Sequence, residues 1–350
     1  MALPLVSIVI RSMARPSLPA ALAYVGAQTY ASLDVVVVAA CGAAHPALPP
    51  TAGPHSLRLV ASPVTLSRPE AANAGIVAAR GDWITFFDDD DEIDPTHVAG
   101  LAAVTQRSKC AVICSLARQR LADGSTHQWG QPFSLTELYV RNFLHLSTVL
   151  FSRVMLDAGC RFDVAFDIMQ DWDFFLQMSQ HTPFHSTGLR TFQWNADAGT
   201  SGTGGNANSD VDKFARYRDR IYAKWGPQRN ALYMRIDPLL TAAGAAIAAG
   251  NLQIAQQHCE AVLAIARNEP FALDMLAMLL DRSGRREEAI AMESLATSVQ
   301  PYEPRFVFNL AALVLGRGEP ERARRLAQHA LDLDPAYAPA QQMLATLGSR

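Results

Sequence analysis

The sequence predicts an α/β domain with a mostly parallel sheet, followed by an all-α domain built from helical repeats. Three observations predict this order. In the amino-terminal part, short apolar runs alternate with helical patterns, as they do in parallel sheets. In the carboxyl-terminal part, small residues recur every 34 positions, which is typical of stacked helix pairs. A run of four consecutive aspartates follows one of the apolar runs and marks a candidate site at a strand end.

The alternation begins with a βαβ unit. Val6–Ile10 is an apolar run, residues 18–28 place apolar side chains on one helical face, and Val35–Val38 is a second strand. Further segments continue the pattern. We predict strands at residues 57–60, 83–87, 110–115 and 148–151, and helices at residues 69–79, 96–104 and 172–180.

The repeats are indicated by columns of residues in one register. Gly250, Gly284 and Gly318 are 34 residues apart, and two alanine columns share that spacing. The pattern resembles tetratricopeptide repeats, in which small residues let antiparallel helices approach and a glycine-containing turn joins them. We therefore expect domains at residues 1–228 and 229–350. The second contains repeats at 236–269, 270–303 and 304–337 and a capping helix at 338–350.

Composition narrows the classes of function. The 350 residues are 49% hydrophobic with a formal net charge of −3, so the chain can bury a full core and has no broad basic field for nucleic acid or anionic lipid. Its five cysteines show no metal-ligand spacing, which suits a reducing compartment. No run is apolar for about eighteen residues, the length of a membrane span. We expect a cytoplasmic protein without a transmembrane segment.

The aspartate run Asp88–Asp91 follows the apolar segment 83–87. Clustered carboxylates repel one another by several kcal/mol in a partly dry site unless cations neutralise them. Mg²⁺ and Mn²⁺ prefer oxygen ligands and commonly share them with substrate phosphates. The run therefore indicates a metal site for a nucleotide diphosphate, with a solvated acidic turn as the simpler alternative.

Residues 5 to about 225 resemble a family 2 glycosyltransferase of the GT-A fold. The resemblance rests on the first strand, the Gln28-Thr29-Tyr30 turn, the segment from Ala72 to Ile84, the acidic run and an acidic helix start. That helix start reads Gln170-Asp171-Trp172-Asp173-Phe174. The resemblance implies a transferase that moves a sugar from a nucleotide donor, with Mn²⁺ or Mg²⁺ as cofactor.

The family pattern also assigns roles to individual residues. It implies that Asp171 is the catalytic base and that Asp90, with Asp88, holds the metal. The candidate donor-binding residues are Asp88, Asp89 and Asn73 in the matching segments, together with Arg68 and Arg11, which stand where the sequence departs from the family pattern. Weaker candidates on the acceptor side are His145, Trp172 and Asp173, each of which is also compatible with packing.

Two departures from the family pattern leave alternatives open. The second strand ends in Ala39-Ala40 where the family usually has acids that hold the base, so UDP is a default and dTDP or GDP stays possible. The first strand ends in Arg11 where proline is common. Its guanidinium could bind donor phosphates or could only neutralise the acids. Arg68 could supply a charge that the family carries nearer to Asn73.

The expected function is a metal-dependent inverting transfer of a sugar to a hydroxyl of a glycan or protein. The repeats would dock the acceptor or a partner protein, or mediate self-association. An alternative is a catalytically silent domain in a repeat-based adaptor, which the missing base-binding acid would suit. The glycine-rich segment Gly199–Asn208 is either a linker or a lid.

Overall fold

The computed structural model describes residues 3–121, 123–195 and 210–348. The expected Gly199–Asn208 loop lies outside these ranges. The chain divides into two compact units. The first comprises the residues up to Gln131 and Asn142–Trp225, and the second comprises Pro132–Arg141 and the residues from Gly226 onwards. No helix among the described residues is both long and apolar enough to cross a membrane.

The first unit is built around an eight-stranded sheet within the described residues. Its strands in chain order are β1 (Val6–Ser12), β2 (Leu33–Ala39), β3 (Thr51–Ala52), β4 (His55–Val60), β5 (Trp83–Phe86), β7 (Val112–Cys114), β10 (Val149–Ser152) and β11 (Phe184–Ser186). Their spatial order is β11-β7-β10-β5-β1-β2-β4-β3. The central strands β5, β1, β2 and β4 are parallel, and β10 pairs antiparallel to β5. The sheet is therefore mixed around a parallel centre.

A smaller sheet of four short strands completes this unit within the described ranges. Its members are β6 (Glu92–Ile93), β8 (Ala117–Arg120), β9 (Thr126–Trp129) and β12 (Phe192–Asn195). Their order is β6-β12-β8-β9, and β6 begins directly after the aspartate run. This sheet was not predicted from the sequence, because strands of two to four residues carry too little periodicity to be recognised.

Helices cover the large sheet of the first unit. They are α1 (Leu18–Gly26), α2 (Arg68–Ala78), α3 (His97–Thr105), α5 (Val154–Asp157) and α6 (Gln170–Ser179). The start of α2 is fixed by a capping box between Ser67 and Glu70. The start of α6 follows Met169, whose φ of 60° turns the chain sharply before the acidic residues. Both helix starts therefore have defined positions.

The second unit is helical. Besides α4 (Leu135–Leu138), it contains most of α7 (Val211–Ala248), α8 (Leu252–Ile265), α9 (Pro270–Arg282), α10 (Arg286–Val299), α11 (Pro304–Gly316), α12 (Pro320–Leu333) and α13 (Ala338–Gly348). The starts of α8, α10 and α12 are 34 residues apart, as are those of α9, α11 and α13. The predicted repeat period is confirmed in the helices themselves.

The residue columns of the repeats have physical causes. Gly250, Gly284 and Gly318 have φ values of +79°, +79° and +91° where successive helices join, a conformation that costs glycine least. Ala255, Ala289 and Ala323 are fully buried, so that neighbouring helices approach closely. The glycine column thus sets the turns, and the alanine column sets the helix spacing.

The ten-residue segment Pro132–Arg141 interrupts the sequence of the first unit and belongs to the helical unit. Asn268 Nδ2 donates a hydrogen bond to the Phe133 carbonyl at 2.7 Å, and Gln300 Nε2 donates to Glu137 Oε1 at 2.5 Å. The Arg141 guanidinium lies over the Tyr302 ring at 5.4 Å. The helical unit therefore includes residues that precede its main part by more than eighty positions.

A buried acidic network joins three helices of the repeats. Glu293 on α10 is 1% exposed, and burial together with the charge of Asp274 raises its pKa to about 9. Glu293 is therefore protonated at neutral pH and can donate a hydrogen bond to Asp274. The same Asp274 carboxylate accepts hydrogen bonds from Arg305 Nη2 at 3.0 Å and Asn309 Nδ2 at 2.7 Å. A neutral Glu293 thus suits this site.

We expect Glu293→Gln to remove part of the pH dependence of stability. Glu293 has a higher pKa in the folded protein than in the unfolded chain. It therefore contributes its full stabilisation of the folded state at acidic pH, and this contribution declines as the pH rises towards about 9. Glutamine keeps the neutral shape and cannot ionise, so the variant should lose less stability than wild type between pH 5 and 9. Urea unfolding at several pH values measures this.

Glu321→Gln is the matched control, because this glutamate on α12 is 75% exposed. It should follow the wild-type curve. A Glu293→Gln protein with the same pH dependence as wild type would show that the carboxyl is already ionised in the folded protein.

Candidate active site

Strand register brings the first two charged groups of the site together. In the parallel pair of β1 and β5, Val9 lies opposite Phe86. Arg11 lies two residues after Val9, and Asp88 lies two residues after Phe86. Arg11 Nη2 donates a hydrogen bond to Asp88 Oδ1 at 2.6 Å. Burial opposes ionisation of Asp88, but the charge and hydrogen bond of Arg11, together with His145 and the charge of Arg68, outweigh it and the pKa of Asp88 is lowered. Asp88 is thus an ionised carboxylate at the strand ends.

A second arginine neutralises the next two acids. Arg15, in the turn before α1, donates through Nη1 to Asp89 Oδ1 at 2.8 Å and to Asp90 Oδ2 at 3.1 Å. Asp89 is buried, with its side chain 1% exposed, whereas the Asp90 side chain is 22% exposed. Burial raises the pKa of both carboxyls, and neighbouring acids add to the effect. Asp90 is therefore more open to solvent than Asp89.

The fourth aspartate faces the small sheet. Asp91 Oδ1 accepts a hydrogen bond from the backbone N–H of Asn195 at 3.0 Å, and Asn195 Nδ2 donates to the Asp90 carbonyl at 3.0 Å. Burial, together with the charge of Asp88, raises the pKa of Asp91 well above its ordinary value. Asp91 is therefore held as a buried, readily protonated carboxyl that ties the acidic turn to β12.

His145 lies beside this carboxyl, with its Nε2 3.8 Å from Asp91 Oδ2. Burial lowers the pKa of His145 to about 4, so the ring is neutral near pH 7. Its Nδ1 accepts a hydrogen bond from the Ser147 backbone N–H at 3.2 Å. Because that nitrogen is the acceptor, the proton of the neutral ring is on Nε2, which faces the acids as a donor.

Asp171, in the first turn of α6, shares the electrostatic environment of Arg11 and Asp88. Asn142 Nδ2 donates to Asp171 Oδ2 at 3.1 Å and fixes the carboxyl orientation. Burial raises the pKa of Asp171, and the backbone of Trp172 and the charge of Arg11 limit that rise. Arg68, at the start of α2, interacts electrostatically with Arg11, Asp88 and Asp171. The predicted base and three predicted donor residues therefore belong to one charged cluster.

The donor atoms allow a test of fit for a divalent cation. Ligand atoms of Asp88, Asp91 and His145 lie within 4.8 Å of one another. Carboxylate oxygens suit Mg²⁺ and Mn²⁺. His145 fits less well, because the nitrogen that faces the acids, Nε2, carries the proton, and Asp91 is buried and readily protonated. The ionised Asp88 and the accessible Asp90 have the right chemistry, so the residues present fit a cation.

Other predicted site residues are engaged in packing. Asn73 uses both ends of its amide on the backbone of Phe162, at 2.8 and 3.0 Å. Trp172 is 3% exposed and meets Tyr222 edge to face with ring centroids 6.0 Å apart. These contacts position the chain before α6 and the helix itself. They do not bring either side chain into the charged cluster.

Asp173 is completely buried and anchors α7. Its carboxylate accepts hydrogen bonds from Trp225 Nε1 at 2.8 Å and from Gln177 Nε2 at 2.7 Å, and Lys224 Nζ lies 2.8 Å from Oδ1. Both oxygens are therefore used within the first unit. We interpret Asp173 as a packing residue and not as an acceptor-side group.

Sequence reasoning missed three residues of the cluster. Arg15, Asn142 and Asn195 each contact a predicted acid from a distant part of the sequence. No motif signals Asn142 or Asn195, because both reach the site through long-range contacts. Arg15 did carry a signal. A second arginine four residues after Arg11, opposite four acids, is the counter-charge that the acidic run requires.

The site has the features of a nucleotide-sugar transferase: acids and arginines at parallel strand ends, with a separate, partly buried carboxyl on a helix start. The sequence comparison agrees. Residues 7–163 match the profile of Glycosyl transferase family 2. This part of the chain is therefore a family 2 glycosyltransferase domain, as the resemblance predicted. A search of curated proteins found no significant match.

Solved structures with similar parts come from transferases and from repeat domains. S. aureus TarS 1–349 aligns over 99% of this chain and 90% of that chain, with 14% identity and a TM-score of 0.46. A Thermobaculum terrenum O-GlcNAc transferase mutant aligns over 33% of this chain and 22% of that chain, with 28% identity and a TM-score of 0.32. The Sgt2 TPR domain from Aspergillus fumigatus aligns over 33% and 77%, with 22% identity and a TM-score of 0.31.

We expect Asp173→Asn to lower stability by about 2 kcal/mol, because a buried charge-assisted hydrogen bond to Lys224 is lost. The loss should appear as a lower urea midpoint. The exposed Asp157→Asn is a control that should leave the midpoint unchanged. An unchanged midpoint for Asp173→Asn would contradict the anchoring interpretation.

Proposed function

We propose that this protein is a metal-dependent inverting glycosyltransferase that transfers a sugar from a nucleoside diphosphate to a hydroxyl acceptor. The observation that carries the proposal is the shared environment of Arg11, Asp88 and Asp171 at the strand ends. It combines groups for a diphosphate, for a cation and for a proton in one cluster. The match of residues 7–163 to Glycosyl transferase family 2 supports the same reaction class.

The two arginines are the proposed partners of the donor diphosphate. Guanidinium groups pair well with phosphate oxygens. Arg11 Nη1 is buried and has no hydrogen-bond partner among the described residues, so it has a donor to offer. Arg15 holds Asp89 and Asp90 and can exchange these carboxylates for phosphate oxygens. Arg68 adds positive charge to the same cluster.

Asp88 and Asp90 are the proposed metal ligands. When Mn²⁺ or Mg²⁺ is bound there, it supplies positive charge for the leaving diphosphate. Asp90 is more accessible than Asp91, since its side chain is 22% exposed and that of Asp91 is 4% exposed. We therefore assign Asp91 to the positioning of the acidic turn.

Asp171 is the proposed general base. As the acceptor oxygen bonds to the anomeric carbon, the bond from that carbon to the diphosphate oxygen breaks and its electron pair leaves with the nucleoside diphosphate. The acceptor hydroxyl proton passes to the Asp171 carboxylate, and attack opposite to the leaving group inverts the anomeric carbon. Asn142 orients the carboxyl through a hydrogen bond to Oδ2.

Two further parts of the proposal are the nucleobase of the donor and the partner of the repeats. The end of β2 carries Ala39 and Ala40 and no acid, so UDP remains the default, with dTDP and GDP as alternatives. We propose that the repeats contact a protein partner or the acceptor. Tyr302, which is 72% exposed, gives that unit an aromatic side chain on its surface.

We expect Asp90→Asn to abolish metal-dependent donor binding and Asp91→Asn to retain it. The test is thermal unfolding with a panel of nucleotide sugars, with and without Mn²⁺. A donor at one hundred times its dissociation constant should stabilise the wild type by about 2.7 kcal/mol. The reverse ranking of the two variants would assign the metal to Asp91. No shift with any donor would favour the silent adaptor.

We expect Asp171→Asn to lower turnover on the order of a hundredfold, because amide groups cannot accept the proton. Donor-induced stabilisation should persist. In the wild type, kcat/KM should decline as the pH is lowered. The decline should begin at a pH above the ordinary pKa of an aspartic acid, because burial raises the pKa of Asp171.

Asp157→Asn on the surface of α5 is the matched control and should behave as wild type. An Asp171→Asn protein with wild-type turnover, or with its acid limb unchanged, would require another base.

A further inference from the structure

The small sheet carries an aromatic row that the reaction described above does not use. In its register, Phe192 on β12 lies opposite Ala117 on β8, and Ala117 lies opposite Trp129 on β9. Side chains of paired residues share one face of a sheet, and so does a residue two positions along the same strand. Trp194 therefore belongs to this face. Its ring is 5.7 Å from that of Trp129, in an edge-to-face arrangement.

Polar side chains form the next row on the same face. Gln119 lies opposite both Trp194 and His127 in the register. Burial decreases along this face. Phe192 is buried, Trp194 and Gln119 are partly exposed, and His127 is exposed. The face thus changes from a buried aromatic ring, through partly open indoles, to hydrogen-bonding groups in water.

The row is tied directly to the acidic run. Asn195, the residue after Trp194, donates its backbone N–H to Asp91 and its side-chain N–H to the Asp90 carbonyl, both at 3.0 Å. His145 stacks on Phe192 with centroids 4.5 Å apart, and its ring is 5.9 Å from that of Trp194. The indoles therefore lie close to the turn that carries the acids, in the same unit as Asp171.

We infer that Trp194 and Trp129 form a platform for a sugar ring of a carbohydrate acceptor, which names the acceptor class of the proposed transferase and rests on that function. A pyranose has an apolar C–H face that packs on an indole, and hydroxyls at its edge that need hydrogen-bonding partners. The two rows supply both. The partly exposed Trp194 provides an apolar ring surface with Trp129 edge to face beside it, and Gln119 and His127 provide polar groups next to them.

The test uses the full chain and the nucleotide sugar that gives the largest thermal shift. Release of the nucleoside diphosphate is measured with methyl glycosides of common pyranoses, and with serine- and threonine-containing peptides as the other acceptor class. We expect saturable stimulation by at least one glycoside. Trp194→Leu should raise the KM for that glycoside about tenfold, with kcat changed less than about threefold, and Trp194→Phe should restore most of the loss.

Tyr24→Leu is the matched control, because Tyr24 on α1 is also a partly buried aromatic that packs against the same core. It should leave the KM for the glycoside unchanged. If Trp194→Leu does not fold, Trp129→Leu replaces it with the same expectation. Stimulation by peptides alone, or an unchanged KM in the platform variants, would overturn the inference.

Failure of the platform is distinguishable from failure of the proposed function. A wild-type protein that no nucleotide sugar stabilises would overturn the transferase and the platform together. A protein that a donor stabilises, but that no glycoside stimulates, would overturn the platform alone.

Discussion

The site depends on charge compensation between four consecutive aspartates and two arginines. Without Arg11 and Arg15, four carboxyls at one strand end would have to take up protons or separate, since like charges at short range are costly away from water. The compensation is unequal. Arg11 keeps Asp88 ionised, whereas burial raises the pKa values of the other three acids. The turn therefore contains carboxyls of different basicity within four residues.

This compensation constrains the fold around it. The parallel register of β1 and β5 must bring Arg11 to Asp88, and a slip of one residue would turn Arg11 to the other face of the sheet. The small sheet also holds this turn, because the backbone N–H of Asn195 donates a hydrogen bond to the Asp91 carboxyl. Two sheets thus fix the same turn from opposite ends.

Much of this architecture could be predicted because its causes are local. Buried parallel strands are apolar runs, and the turn glycines at residues 250, 284 and 318 are needed for their positive φ values. The predicted charged residues Arg11, Asp88 and Asp171 also come together. Asn142 and Asn195 could not be predicted, because their contacts join segments 29 and 104 residues apart. The position of Trp194 could not be predicted either, because it depends on the register of the small sheet.

The segment Pro132–Arg141 has a consequence for synthesis on the ribosome. Its partners Asn268 and Gln300 are 135 and 163 residues further along the chain. Phe133 and Leu138 are buried in the finished protein, and the hydrogen bonds that hold their segment to the repeats form only after Gln300 has been synthesised. The helical unit therefore completes its contacts around a segment that was synthesised long before its other residues. A nascent chain halted before Gln300 lacks one of these partners and should display the segment to chaperones.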